Sequence, residues 1–558
     1  MAASDTDLSK DGPNAALERG VEPAAYGDGA DAAFENDARA AGGHYGGVDA
    51  SQVAVLVEEE THVTRDALGA PLTMQTGIER IPFNPVARVE DHGKKENEGT
   101  YVRRIVLYGI LSLVFAVIVF VFVYNVNDIP LKLAGRNFTL GLAGLLVYSS
   151  IVALILFLVL LLIRYFGLLL MAYLYTAKYT ARVENEEDED SFLPRISIIV
   201  PAYNEGVLMR DTIQSLLQQD YPDYEIIIVD DGSTDDTRAI ARDMIGEYER
   251  PGGGRVEIKL VEKPNGGKST ALNAGIQVAS GEFVLNVDGD SQLSPQTLRR
   301  TIRHFAEPRM GAVAGNVKVV NRTNIWTKLQ ALEYVEGLNM ARSAQSLAKL
   351  VNIIPGPLGL FRKQAIVEAG WYSSDTYAED CDITLKIIRG GWRVEYEPEA
   401  ISFTEAPNRL SDLLKQRYRW TRGIIQAVRK HKDLLFNPTQ NFGGTVVMWA
   451  MAFESLIWPV MNVFANLYFI VIALAYGYYG YLAFWWLILT ILDMIAALYC
   501  VAVEKEQASL VFYSVLYRLF FILIIDVCKT IATIEEFLGL GMTWGKLERI
   551  GTSSPAAG

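Results

Sequence analysis

"RISIIVPAYNE", residues 195–205, runs a series of β-branched apolar residues straight into a polar Tyr-Asn-Glu. Such a run reads as a strand buried on both faces and ending in a loop. The arrangement recurs three times. "EIIIVDDGSTDDT" (225–237) ends in Asp230 and Asp231, "VEIKLVEKPNGGKS" (256–269) ends in Lys268, and "EFVLNVDGDSQL" (282–293) delivers Asp288 and Asp290. In open parallel sheets ligands bind just outside the carboxyl ends of the strands, so four successive strands aim polar residues at one crevice. Between about 195 and 437 such runs alternate with amphipathic stretches, as in an α/β domain, and roughly 240 residues suffice for one substantial core.

Outside that region the composition changes. The chain of 558 residues is half hydrophobic, and a mean hydropathy of +0.17 fits a mixture of soluble and membrane parts. Residues 1–98 are acidic, rich in Gly and Ala and poor in large apolar side chains, so disorder is expected there, as a solvating tail rather than a docking arm. The net charge of −14 owes much to this segment. No short apolar run follows a basic start, so no cleaved signal peptide is expected.

Two N-terminal membrane helices are expected within 99–180. Residues 105–126 carry no charge, and neither do 138–163, which Arg164 and a further apolar piece to Tyr175 follow; each run is long enough for the ~30 Å hydrocarbon core. Lys94, Lys95, Arg103 and Arg104 precede the first, Lys178 and Arg182 follow the second, and Lys132 and Arg136 lie between. This bias favours a cytoplasmic N-terminus and middle region. After the domain assigned to 192–437, segment 443–535 holds three or four interfacial or membrane helices: 443–465, 466–480, 481–503 and 509–533. Glu454 and Pro459 make the first either interfacial or a span facing a polar cavity. A short tail, 536–558, ends the chain with Lys546 and Arg549, favouring a cytoplasmic end.

The stretch "NGGKSTALNAG" (265–275) looks like a nucleotide-hydrolase loop, but a Walker A motif needs glycine where Glu262 stands. Lys268 is instead a point charge for a diphosphate. Asp288 and Asp290 are alternate residues of an extended segment and share a face, so both reach one hard cation, Mg²⁺ or Mn²⁺, or its ligand. Asp230 or Asp231 could accept from a base N–H or a ribose hydroxyl. "YAEDCDITLKIIRGGW" (377–392) places Glu379, Asp380 and Asp382 in a helix's first turn, where the macrodipole favours ionised carboxylates; ordinary acidic capping would look the same. In "QRYRW" (416–420), Gln416, Arg419 and Trp420 share a helical face, suited to a sugar ring and a diphosphate or to anchoring at a membrane surface. Three cysteines and five scattered histidines argue against a disulfide framework or a zinc centre.

Together "PAYNE", "VDDGSTD", "NGGKSTALNAG", "DGD", "GPLGLFR", "AED" and "QRYRW" resemble the motifs of processive, membrane-embedded family 2 glycosyltransferases, which include synthases of cellulose, chitin, hyaluronan and poly-N-acetylglucosamine. The resemblance implies an α/β GT-A (Rossmann-like) cytosolic domain between transmembrane helices. It implies that Tyr203, Glu205 and Asp231 hold uridine with Asp230 as neighbour, that Lys268 and Asp288 bind the nucleotide sugar, and that Asp288 and Asp290 hold the metal. Asp380, with Glu379 beside it, is then the catalytic base, and Gln416, Arg419 and Trp420 serve acceptor and diphosphate. Ala378 stands where threonine is common in the family.

"GPLGLFR" is similar to hyaluronan- and chitin-type synthases, whereas the length and "GNVKV" (315–319) look more like poly-β-1,6-N-acetylglucosamine synthases. The implied function is inverting, processive transfer from a UDP-sugar, with UDP-N-acetylglucosamine favoured, to a growing β-linked polysaccharide exported through the chain's own helices. The expected partners are the UDP-sugar, the polysaccharide, the lipid bilayer and an accessory membrane subunit, and no nucleic acid. The expected place is the plasma or inner membrane, multi-pass, with a cytoplasmic catalytic domain. A non-processive lipid-acceptor transferase and an inactive sugar-nucleotide sensor are the alternatives.

Overall fold

The computed structural model describes residues 54–57, 77–79, 137–185, 192–250, 253–439 and 441–541. Its centre is one mixed sheet. In chain order the strands are β1 (Ala54–Val57), β2 (Gly77–Glu79), β3 (Ile196–Ala202), β4 (Tyr224–Asp230), β5 (Gly246–Glu249), β6 (Arg255–Glu262), β7 (Phe283–Asn286), β8 (Gln292–Leu293), β9 (Met310–Val319), β10 (Gly359–Arg362) and β11 (Arg393–Thr404). Across the sheet they run β2-β1-β6-β4-β3-β7-β10-β9-β11-β8, with β5 also on β6. The expected four-strand unit β6-β4-β3-β7 is parallel throughout. Beyond it β10 is antiparallel to both neighbours, while β9 and β11 are parallel to each other.

The apolar runs are continuous because both faces of the sheet are covered. Ile199, Ile227, Val229, Val261 and Val284 face one layer, with the helices Lys268–Val278 and Glu379–Arg389. Their alternates Ile198, Val200, Ile226, Ile228 and Leu285 face the other, against Met209, Ile213 and Leu216 of the helix Gly206–Leu217. Strand periodicity thus splits one run between two cores.

Within 1–98, where disorder is the expectation, two short strands are described. β1 takes "AVLV" and pairs with β6, Ala54 opposite Glu262 and Leu56 opposite Leu260; β2 then pairs with β1. The reason is local composition: residues 53–57 form an apolar, β-branched run beside an open sheet edge. The rest of 1–98, the expected span at 105–126, Lys546 and Arg549 lie outside the described residues.

Four described helices are long and apolar enough to cross a membrane: Val152–Arg182, Phe442–Leu474, Tyr479–Val503 and Leu510–Phe537. The two segments expected at 443–465 and 466–480 form one of them, joined through a π-helical turn at Phe453–Ile457, and Gly477 in the left-handed region ends it. Glu454 meets Arg164, which donates from Nε at 3.1 Å and Nη2 at 2.9 Å. Arg518 holds Asp493 through both carboxylate oxygens at 2.5 and 2.6 Å and also donates to Tyr165 Oη at 2.8 Å. Charges inside such helices persist when paired in this way.

The helix Asn137–Asn185 has 49 residues, about 70 Å at ~1.5 Å per residue, more than twice the hydrocarbon thickness. Its C-terminal part therefore docks on the sheet. Tyr175 Oη donates to the Tyr396 carbonyl at 2.5 Å, and Tyr179 Oη to Glu397 Oε1 at 2.5 Å. Beneath this contact the buried His304 lies between two carboxylates, Nδ1 2.6 Å from Glu395 and Nε2 2.8 Å from Glu397. Burial opposes the imidazolium, but both carboxylates outweigh it and raise the His304 pKa above 6.5. Burial likewise works against the two carboxylates, yet His304 brings each down to about 2.

His304→Leu would leave both carboxylates buried without this cation, a loss of about 3–5 kcal/mol. A raised histidine pKa contributes stability fully below pH 6.5 and loses it as pH rises through the folded value. The lowered carboxylates contribute above pH 4.5 and lose that as pH falls. Thermal melts in detergent should therefore show the largest wild-type advantage between these limits, shrinking as pH rises through the raised histidine value; an advantage that grows on that side would contradict the arrangement.

Candidate active site

The loops at the carboxyl ends of the parallel strands hold one another in place. Asn204 takes the left-handed region at φ 56°, which asparagine tolerates better than most residues. Its Oδ1 accepts from the backbone N–H of Thr234 at 2.7 Å and Asp235 at 3.3 Å. The backbone N–H of Glu205 donates to Thr237 Oγ1 at 2.8 Å, and a Cβ on Gly289 would come within 3.3 Å of Glu205 Cγ. Glu205 thus lies against the Asp-Gly-Asp turn. Tyr203 beside it, the first residue after β3, is 40% exposed.

The consecutive aspartates divide their work. Asp230 is fully buried; it accepts from the backbone of Ser233 at 3.1 Å and from Arg238 Nε at 2.7 Å. Its carboxylate is thus held within its own loop and by the helix that follows. Asp231 accepts from the backbone N–H of Gly266 at 2.9 Å and Gly267 at 2.8 Å, and from the Lys263 ammonium. The loop that carries Lys268 is wrapped around this one carboxylate. Gly232, at φ +74°, permits the wrap, since a Cβ there would lie 2.7 Å from Asn265 N.

Lys268, Asp288, Glu379 and Asp380 come together at one small recess. Lys268 Nζ lies 2.5 Å from Asp288 Oδ1 and 3.2 Å from Glu379 Oε1. Burial works against its ammonium, but Asp288, Glu379 and Asp380 outweigh it and raise its pKa, so it stays charged. Asp380 begins the helix Glu379–Arg389 and accepts from the backbone N–H of Cys381 at 2.7 Å. Burial, and then the charge of Glu379, push Asp380 up to about 6 against the pull of Lys268. A carboxyl tuned to that range can exchange a proton near neutral pH.

The donor set suits a divalent cation in part. Asp288 is partly exposed and Asp290 nearly buried; among the described residues no three His, Cys, Asp or Glu side chains form a metal-holding group. Two carboxylates would therefore share a hard cation with oxygens of a ligand. Room is kept beside them: a Cβ on Gly356 would stand 2.5 Å from Lys268 Nζ and 3.1 Å from Asp288 Oδ2.

"QRYRW" lies on the helix Leu410–Lys430, which packs so closely behind "AED" that a Cβ on Gly423 would meet Ala378 N at 2.6 Å. Gln416, Arg419 and Trp420 do not line the recess itself. Trp420 packs with Val317, Tyr334 and Val501 where the sheet meets the membrane helices. Arg417, which spacing did not single out, holds the group: its guanidinium lies 4.3 Å from the Trp420 ring centroid and donates to Gln416 at 2.5 Å and to Glu333 at 2.5 and 3.3 Å. Lys263 and Tyr372 were also passed over. A lysine at the end of β6 was a visible signal, whereas Tyr372 carried none.

Residues 197–369 match the family described as Glycosyl transferase family 2. Over 230 residues the chain is 35% identical to a poly-beta-1,6-N-acetyl-D-glucosamine synthase of Staphylococcus epidermidis, covering 41% of this chain and 54% of the relative. A synthase of the same name from Staphylococcus aureus is 34% identical over 234 residues, 41% and 55% of the two chains. The match spans about half the length of these curated relatives. A solved mannosyltransferase of Pyrobaculum calidifontis, in complex with GDP-mannose and Mn²⁺, aligns with a TM-score of 0.45 at 22% identity over 68% of this chain and 98% of that one. The chain carries a family 2 glycosyltransferase domain, built on the α/β sheet described above.

Lys263→Met would strip the buried Asp231 of its cation, lowering stability by about 3–5 kcal/mol. Adding Asp231→Asn should recover part of that loss, because the remaining amide carries no charge. Thermal melts of the two single variants and the double variant measure this, and strictly additive losses would exclude the coupling.

Proposed function

We propose that this chain is an inverting glycosyltransferase that uses UDP-N-acetylglucosamine to extend a β-linked polysaccharide at a membrane. The observation that carries the reading is the single recess where Lys268 joins Asp288 to Glu379 with Asp380 alongside. The sugar rests on the names of the relatives, and their partial coverage makes it a proposal for this chain.

The residues divide the reaction between a leaving-group side and a base side. Asp231, Tyr203 and Glu205 stand at the loops where a uridine would lie, and Lys268 faces the diphosphate. Asp380, ionised, accepts the proton of an acceptor hydroxyl as that oxygen bonds to the anomeric carbon; the carbon–oxygen bond to UDP breaks and its electron pair leaves with the diphosphate. One displacement from the opposite side turns an α-linked donor into a β-linked product. Mg²⁺ or Mn²⁺, held by Asp288 and Asp290, would neutralise charge on the departing diphosphate. Gln416, Arg419 and Trp420 then belong to the acceptor side, with Trp420 offering a flat face to a sugar ring.

The same reading places the sheet in the cytoplasm, and has successive transfers feed a chain out between the candidate spans, with room for an accessory membrane subunit. Trp420 at the junction of sheet and membrane helices supports that path.

Detergent-purified protein with Mn²⁺ or Mg²⁺ should release UDP from UDP-N-acetylglucosamine and yield a long product on sizing. A single added sugar would instead identify a lipid-acceptor transferase, a need for two donors a copolymer, and silence with every donor a sensor. Asp380→Asn should lower kcat by roughly 10²–10⁴-fold. Since the base must be ionised, kcat/KM of the wild type should climb as pH rises through about 6; a flat profile from pH 5 to 7.5 would remove Asp380 from that role.

A further inference from the structure

Asn286 ends β7, two residues before Asp288, and forms part of the wall of the same recess. It is 5% exposed. Its Nδ2 donates to Tyr372 Oη at 2.6 Å, whereas its Oδ1 is buried and meets no donor among the described residues. Tyr372 is itself fixed: Asn273 accepts from its backbone N–H at 3.0 Å and donates to its carbonyl at 2.9 Å, and its ring stands edge-on to Phe361. In this orientation Nδ2 is spent on Tyr372 and Oδ1 is the atom left without a donor. A buried carbonyl oxygen with no donor is costly, and its place in the recess implies that a ligand supplies the missing N–H or O–H.

The surroundings define that ligand. Leu272, Ile354 and Phe361 give the recess apolar walls, while Lys268, Asp288 and Asp380 stand over it. A donor sugar with its anomeric carbon between the diphosphate side and Asp380 brings its C2 substituent, one bond away, against these walls. We propose that Asn286 reads the 2-acetamido group of the donor: Oδ1 accepts the amide N–H, and the methyl covers Leu272 and Ile354. A 2-hydroxyl could donate to the same oxygen but would leave the apolar walls against water. Tyr372 is the positioning residue that keeps the oxygen aimed. This inference rests on the N-acetylhexosamine reading above and adds the residue that enforces it.

The test uses the full chain in detergent and compares kcat/KM for UDP-N-acetylglucosamine and UDP-glucose in wild type, Asn286→Leu and Tyr372→Phe, with UDP affinity by calorimetry and melting temperature alongside. Asn286→Leu keeps the size and removes the acceptor, and should lower the preference for the N-acetyl donor by tenfold or more; a site built around such a hydrogen bond discriminates at least that strongly. UDP affinity should change less than about twofold, since uridine is held at other loops, and a change that small is well below the tenfold step worth about 1.4 kcal/mol. Tyr372→Phe preserves the packing, frees the amide to rotate, and should lower the preference by a smaller factor. A wild type with no preference for the N-acetyl donor would overturn the donor reading itself. A wild-type preference that both variants retain would overturn only this inference, as would a parallel fall in UDP affinity and in turnover on both donors.

Discussion

Lys268 is the charge on which the site depends. Without it Asp288, Glu379 and Asp380 would face one another across a small, partly dry recess, and like charges at that range repel strongly where water cannot screen them. With it, the loop after β6, the turn after β7 and the start of the helix Glu379–Arg389 are drawn to one ammonium. The loop carrying Lys268 is itself fixed by Asp231, which binds its glycine N–H groups and Lys263. Two nested ion pairs, one behind the other, thus fix Asp288 relative to Glu379 and Asp380.

The catalytic domain is also tied to the membrane helices from several directions. The long helix reaches the far strands through Tyr175 and Tyr179. The turn between two candidate spans brings Glu504 and Glu506 onto β9, where Asn316 and Lys318 meet Glu504, and Arg322 binds Glu506 through both nitrogens. "GNVKV" owes its polar residues to this clamp: Asn316 and Lys318 belong to the joint between sheet and membrane.

How far the sequence could be read follows from which contacts are local. The parallel unit β6-β4-β3-β7 was legible because its apolar runs and loop residues are each contained in a dozen positions. Gathering Lys268 with Asp288 was legible for the same reason, since strand ends on one sheet edge must be neighbours, whereas Asp380, at a helix start, was placed there only by the family resemblance. Beyond the sheet's centre this local logic fails: β10 and β11 insert through pairings some 40 to 80 residues distant in the chain, and nothing in "GLFR" announces which neighbours it takes. Asp230 and Asp231 looked equivalent in "VDDG"; only Arg238 and Lys263, arriving from different elements, tell them apart. Tyr372 and Arg417 went unread because each acts through a partner that no spacing rule supplies, Asn286 in one case and Trp420 in the other.

Three π-helical turns among the described residues bring the joint and the membrane network into one account. They lie at Glu333–Asn339, Phe453–Ile457 and Tyr517–Phe521, and each brings an ionisable residue into the interior: the buried Glu336, Glu454 on Arg164, and Arg518 on Asp493. A π turn widens a helix locally and swings the following side chains around its axis, at some cost in backbone hydrogen bonding. Regular helices with these sequences would turn at least part of that set toward apolar surroundings, where an unpaired charge is far more costly than a distorted turn. The first of the turns also carries Glu333, which anchors Arg417 beneath Trp420. One distorted segment therefore puts Glu336 among the buried helices and Glu333 under the "QRYRW" group, so the position of Trp420 and the packing of the candidate spans answer to the same local geometry.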